Sequence, residues 1–261
     1  MLANIIRNRK KTGIGGGGGG IIASLPVSGS SLWLDASASG SLYIDAGTTT
    51  VSTSGQSVYR WSDLSGNNRH AVQATSGNRP TWIAPASGQN GLGLVSFNGS
   101  SSYFSVSIPF STPYTVMIAL KQKRASQVDR ILNATDLSTS TTRLWLGSYL
   151  GNYGGQVSTA SGSWNGGSLT YSPTTSIFNA FRRIYQTNSG TSTGLVPYVS
   201  GTALTGVQGA MTSFTTLMIG AGPASQFGNF DLGEIIVYPS VLSSTDLAAV
   251  GDYLKDKWGT P

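Results

Sequence analysis

Cysteine is absent, histidine occurs once (His70) and glutamate once (Glu234), beside nine aspartates scattered from Asp35 to Asp256. Without cysteine there is no disulfide, zinc ribbon or thiol nucleophile, a usage that fits folding in a reducing cytoplasm. A catalytic triad has only His70 to draw on, and no HExxH, GxSxG, GxxxxGKS/T or EF-hand loop occurs. Charge is scarce too: 10% of the 261 residues are Asp, Glu, Lys or Arg, where folded proteins carry about a quarter. No apolar run approaches the roughly 20 residues that cross a bilayer. The N-terminal stretch MLANIIRNRKKTGIGGGGGGIIASLP sets basic residues before apolar ones, as a secretory signal does, but Gly15 to Gly20 interrupt the apolar core. The chain is therefore expected to be soluble, without membrane insertion, and not exported by a signal of its own.

What fills the place of charge is glycine (35 residues) with Ser, Thr and Asn, residues that are poor in helix interiors and good at reversals. With 39% hydrophobic residues, this composition predicts one folded, turn-rich β domain. From Ser31 onward the chain reads as short strands: 31–34, 58–62, 70–73, 94–97, 103–108, 115–121, 130–133, 143–148, 181–187, 196–199, 216–220 and 233–238. Phe104, Val106 and Ile108 alternate with Ser105 and Ser107, which predicts one wet face, whereas Val116 to Leu120 is apolar throughout and predicts cover on both faces. The set implies an all-β antiparallel sandwich or jelly roll. One helix is predicted over 243–258. Ser243 and Asp246 form a capping box, Leu247, Val250, Leu254 and Trp258 make a core-facing stripe, and Gly259 and Pro261 stop it.

The net charge of +6 is unevenly placed. Arg7, Arg9, Lys10 and Lys11 stand together near the N-terminus without an acid, beside a nearly neutral remainder, so residues 1–28 read as a basic, Gly-rich extended arm and 29–261 as the folded domain. A glycine tract has too little side-chain surface to order itself, so an ordered arm needs a packed neighbour. Ile5, Ile6, Ile14, Ile21 and Ile22 with the four basic residues are the expected anchors. No groove-reading motif accompanies them, which argues against specific nucleic-acid binding.

Several segments together resemble the concanavalin A-like lectin/glucanase superfamily, in the laminin-G-like form found in tailed-phage structural proteins and bacterial surface proteins. They are SLWLDAS (31–37), WSDLSGNNRHAVQ (61–73), RPTW (79–82), LVSFNGSSSYF (94–104), YTVMIALK (114–121), LMIGAG (217–222) and GEIIVYPSVLSSTDLAAVGDYLKDKWG (233–259). The resemblance covers nearly all of 31–259 and implies a concanavalin A-like jelly roll. It implies no one ligand, since one fold carries many functions. Read from the residues alone, WSDLSGNNRHA is a tight loop whose side chains bond their own backbone, with Trp61 buried before it and His70 a structural histidine after it. The sequons at Asn98 and Asn133 read as turns.

Three functions compete. A glycoside hydrolase needs two carboxylates flanking the scissile bond, but Asp231 and Glu234 are an odd number apart and would point to opposite faces of a regular strand, with the other acids isolated. A carbohydrate-binding module of a bacterial surface protein would use Tyr149, Asn152, Tyr153, Trp164 and Asn165, which fall in what reads as one long Gly-rich loop from Gly147 to Gly167. A second loop offers Gln226, Phe227, Asn229 and Phe230, and the same aromatics equally serve to pin loops or meet neighbouring subunits. Some laminin-G-like domains bind calcium, but no Asp cluster here has its ligand spacing, so no metal or cofactor is expected. The reading preferred is a phage virion structural protein, a capsid decoration, spike or tail-fibre part. It would assemble in the host cytoplasm, hold other virion proteins through its arm as a homo-oligomer, a trimer by preference, and meet host-surface glycan through its jelly roll.

Overall fold

The computed structural model describes residues 24–124, 129–134, 144–149, 152–157, 180–190, 195–203, 214–222 and 226–261, with the backbone alone at 144–149, 152–157, 195 and 197. In chain order the first strands are β1 (Leu32–Asp35), β2 (Leu42–Tyr43), β3 (Arg60–Trp61), β4 (Ala71–Val72), β5 (Thr81–Ile83) and β6 (Leu94–Ser96). Longer ones follow: β7 (Phe104–Phe110), β8 (Tyr114–Gln122), β9 (Asp129–Ala134), β10 (Leu144–Tyr149), β11 (Asn152–Val157) and β12 (Phe181–Asn188). The last are β13 (Leu195–Val199), β14 (Thr202–Ala203), β15 (Phe214–Ile219), β16 (Ala221–Gly222), β17 (Gln226–Phe227) and β18 (Phe230–Tyr238), before helix α1 (Ser244–Trp258).

Two antiparallel sheets result. One runs β14-β13-β12-β8-β18-β6-β5, with β1 also paired to β18; the other runs β11-β10-β9-β15-β7-β4-β3-β2. Each predicted strand lies on an observed one. On β7 the alternation is realised: Phe104, Val106, Ile108 and Phe110 are buried while Ser107 and Pro109 are exposed. Strand β8 is covered on both faces, as its unbroken apolar run requires. Val116, Ile118 and Leu120 join the core between the sheets, which includes Leu34, Trp61, Phe97, Phe104, Leu217 and Phe230. Met117 and Ala119 join a second core formed with Leu247, Val250, Leu254 and Trp258 of α1. The chain is thus an all-β sandwich with one C-terminal helix laid on the outside of the first sheet.

The helix begins and ends where the sequence places it. Ser243 accepts a hydrogen bond from the Asp246 N–H, and Gly259 adopts the left-handed conformation (φ 62°) that closes α1. Leu25 and Val27, the described end of the predicted arm, pack against the helix-side core, and the Tyr238 hydroxyl donates to the Val27 carbonyl at 2.9 Å.

One irregularity matters for the site. The pairing of β18 with β8 shifts register between Leu232 and Glu234, so Gly233 is the extra residue of a β-bulge. Leu232 and Ile235 both enter the inter-sheet core as a result, which leaves Asp231 and Glu234 on the helix-facing side together. The parity expected from a regular strand therefore fails here.

Candidate functional site

A cluster of ionisable groups gathers at this bulge. Cross-strand pairing sets Asp35 of β1 opposite Glu234 of β18, so Asp35 is not the isolated acid that the sequence suggests. Glu234 Oε1 accepts from the Trp33 indole N–H (2.6 Å) and the Tyr253 hydroxyl (2.9 Å). Its Oε2 accepts from the Trp258 indole N–H (2.8 Å) and the Lys257 ammonium (2.9 Å). Lys257 also reaches Asp35 Oδ2 at 2.6 Å, while Asp35 Oδ1 takes the N–H and hydroxyl of Ser37 (2.9 and 2.7 Å). All four carboxylate oxygens are therefore committed within the chain. Burial, with the neighbouring Asp35 charge, pushes the Glu234 carboxyl above the usual carboxylate range, and Lys257 opposes that shift. Glu234 has 0% exposure and Asp35 4%. A glycosidic oxygen has no route to either, so these two carboxylates lack the access that hydrolysis needs.

Among the described residues the remaining buried acids are also occupied. Asp63 accepts from the backbone N–H groups of Trp33, Ser65 and Arg69 and from the Ser65 hydroxyl, which holds the loop after Trp61 as its composition predicts. His70 closes that loop: its Nδ1 accepts from the Asp63 N–H at 3.0 Å, and Arg60 lies 2.9 Å from Nε2. Burial, then the Arg60 charge, pushes its pKa below the ordinary 6.5, with Asp63 opposing. Asp129 accepts from Gln122, Arg124 and the Asn229 N–H, and Arg124 reaches on to the Phe227 carbonyl. Asp231 is held by Lys123 at 2.8 Å. Among the described residues no group of three or more His, Cys, Asp or Glu is placed to hold a metal.

The sequence-predicted binding residues divide. Tyr149 ends β10 and Asn152 and Tyr153 begin β11, in the register Tyr149 opposite Asn152 and Ser148 opposite Tyr153. What reads as one loop from Gly147 thus starts as a strand hairpin. Trp164 and Asn165 lie outside the described residues, as do Ile5, Ile6, Arg7, Arg9, Lys10, Lys11, Ile14, Ile21 and Ile22 of the arm. In the second loop Phe230 is fully buried in the inter-sheet core, and Gln226 accepts from Arg130. Those residues pin the end of the sandwich. Asn98 makes the expected turn, its side-chain oxygen accepting from the N–H groups of Ser100, Ser101 and Ser102. Asn133 instead sits in β9 with 0% exposure, closed to glycosylation.

A cleft of about 220 Å³, which no motif in the sequence marks, opens at one edge of the sandwich. The turn Ala36 to Gly40 forms one side, Leu42, Thr50 and Val51 another, and Trp82, Pro85 and Gly93 the third. The signal was Trp82 itself, an aromatic in a two-sided sheet edge flanked by turn residues.

No family model matches the chain, and no curated protein matches it. Solved structures do resemble it in fold. The binding domain of Paraclostridial Mosquitocidal Protein 1 superposes with a TM-score of 0.58 at 15% identity, over 80% of this chain and 54% of that one. The binding domain of Botulinum neurotoxin serotype D gives 0.61 at 12% identity, over 89% and 54%. Trypanosoma rangeli sialidase in complex with sialic acid gives 0.57 at 15%, over 91% and 35%. The chain spans about a third to just over half of the lengths of these proteins. Identities this low carry the fold alone: an antiparallel β-sandwich.

Proposed function

We propose that the chain is a non-catalytic, lectin-like module that binds glycan, displayed as a structural part of a phage virion. The observation that carries the non-catalytic half is the commitment of Asp35 and Glu234. Every oxygen of this cross-strand carboxylate pair accepts a hydrogen bond from the chain, and the pair is sealed under α1. Support for the binding half comes from the fold shared with two toxin binding domains and with a sialidase described in complex with sialic acid. Fold alone does not choose between functions, so this half rests equally on the tyrosines and asparagine at the β10–β11 hairpin and on the Trp82 cleft.

The virion setting rests on the sequence: a basic, isoleucine-bearing, Gly-rich arm ahead of a near-neutral body. In this reading the arm meets other virion proteins, the protein assembles in the host cytoplasm as a homo-oligomer, and the sandwich faces outward toward host-surface glycan. Incubating the purified chain with host-surface polysaccharide, while measuring both retained polysaccharide and released reducing ends, tests the first half. Retention without release is expected. Release that Glu234→Gln abolishes would show a glycoside hydrolase instead.

A further inference from the structure

We infer that the cleft beside Trp82 is a subsite for one neutral pyranose ring; this deepens the carbohydrate-binding reading and rests on it. The cleft opens at the edge of the sandwich where β5 of one sheet approaches β2 of the other. Its floor is the buried pair Ala36 and Leu42, and half-buried Val51 and Trp82 pack against the same core from either side. At about 220 Å³ it is smaller than the roughly 300–1,000 Å³ of sites for drug-sized ligands, so it suits a single ring.

Its rim is built rather than loose. The Asp35 carboxylate holds the Ser37 N–H and hydroxyl, the Asp35 carbonyl accepts from the Ser41 hydroxyl at 2.7 Å, and the Ser41 N–H returns to the Ala38 carbonyl at 3.2 Å. Asp35 is in turn fixed by Lys257, so the buried carboxylate cluster sets the shape of the cleft mouth. On the opposite side the indole lies over Gly93, where a Cβ would stand 2.8 Å from Trp82 Nε1. The position admits no side chain while the indole stays there.

The chemistry of the lining selects the ligand. None of the eleven lining residues is charged, so an acidic sugar finds no cation to pair with its carboxylate. A wholly apolar ligand is equally mismatched. The Trp82 indole N–H, the Ser39 and Thr50 hydroxyls and the backbone N–H groups of Ser39 and Gly40 have no hydrogen-bond partner among the described residues. Burying them without partners would cost free energy. A neutral pyranose offers both an apolar ring face for the indole and hydroxyls for these groups.

The test follows the six tryptophan indole N–H resonances of the full chain, with that of Trp82 identified by its loss in Trp82→Phe. Methyl glycosides of glucose, galactose and mannose, N-acetylglucosamine and, as the charged control, N-acetylneuraminic acid are titrated separately. The Trp82 resonance is expected to move saturably with at least one neutral sugar and to stay in place with N-acetylneuraminic acid. Filling the mouth with Ser39→Trp, an exposed turn position, should weaken that response about tenfold or more; Thr50→Trp serves if the first variant does not fold. Shifts elsewhere in the spectrum with Trp82 unmoved, or an unchanged titration in a folded mouth-filled variant, would overturn the cleft and leave the carbohydrate reading standing. No response anywhere to any sugar, together with no retained polysaccharide, would overturn both.

Discussion

Two indoles, a phenol and an ammonium converge on one carboxylate at Glu234, and they come from β1 and from α1. Removing the acceptor leaves the two buried indoles without it and breaks one of the two ion pairs of Lys257. Truncating a buried ion pair costs about 3–5 kcal/mol, so Glu234→Ala is expected to lower the unfolding free energy from urea titration by an amount in that range and to move the midpoint down with it. A midpoint within error of wild type would mean that the clamp is not structural. His70 gives a pH signature. Its folded pKa lies below the ordinary 6.5, so as pH falls below 6.5 the unfolded chain takes up a proton that the folded one refuses. The stability it supports is complete above 6.5 and is lost as pH falls toward the folded pKa. The stability difference between wild type and His70→Gln should therefore shrink over that interval in parallel denaturation curves. The clamp at Glu234 was not legible residue by residue: Asp35 and Glu234 meet only because β1 pairs with β18, near opposite ends of the chain. The Asp63 loop was legible because the bonds its carboxylate accepts are local apart from the one from Trp33.

Among the elements, α1 and the bulge in β18 act as one device. Trp258 lies on the extra residue of the bulge: a Cβ at Gly233 would come within 2.9 Å of three atoms of the indole. Gly233→Ala is expected to cost about 1–3 kcal/mol through overpacking, and Ser243→Ala about 1 kcal/mol through loss of the N-cap. Thermal unfolding of the two variants should rank them in that order. The helix was readable to its caps, because its stripe and its capping box are local patterns. Strands β7 and β8 were readable from alternation and from an unbroken apolar run. Strands β2, β5, β14, β16 and β17 have two or three residues each, too short for any period to show, and they are placed by their partners. The bulge was illegible for the same reason. An i, i+3 pair of acids sits on opposite faces in a regular strand, and only the register against β8 reveals the extra residue.

For the whole molecule, the described buried acids of the sandwich serve packing. The basic, Gly-rich stretch at the N-terminus differs in composition from the near-neutral body that follows it. Deleting residues 2–22 is accordingly expected to leave the melting transition of the body in place while abolishing incorporation into particles, and light scattering of the full chain should give the mass of a trimer. Normal incorporation of the truncated chain would remove the arm from the account. Binding without catalysis is tested by a glycan array probed with the purified full chain. Retention on neutral-sugar glycans is expected, undiminished on prolonged incubation because nothing is cleaved. An array with no glycan bound above background, or with bound glycans progressively lost as they are hydrolysed, would contradict it.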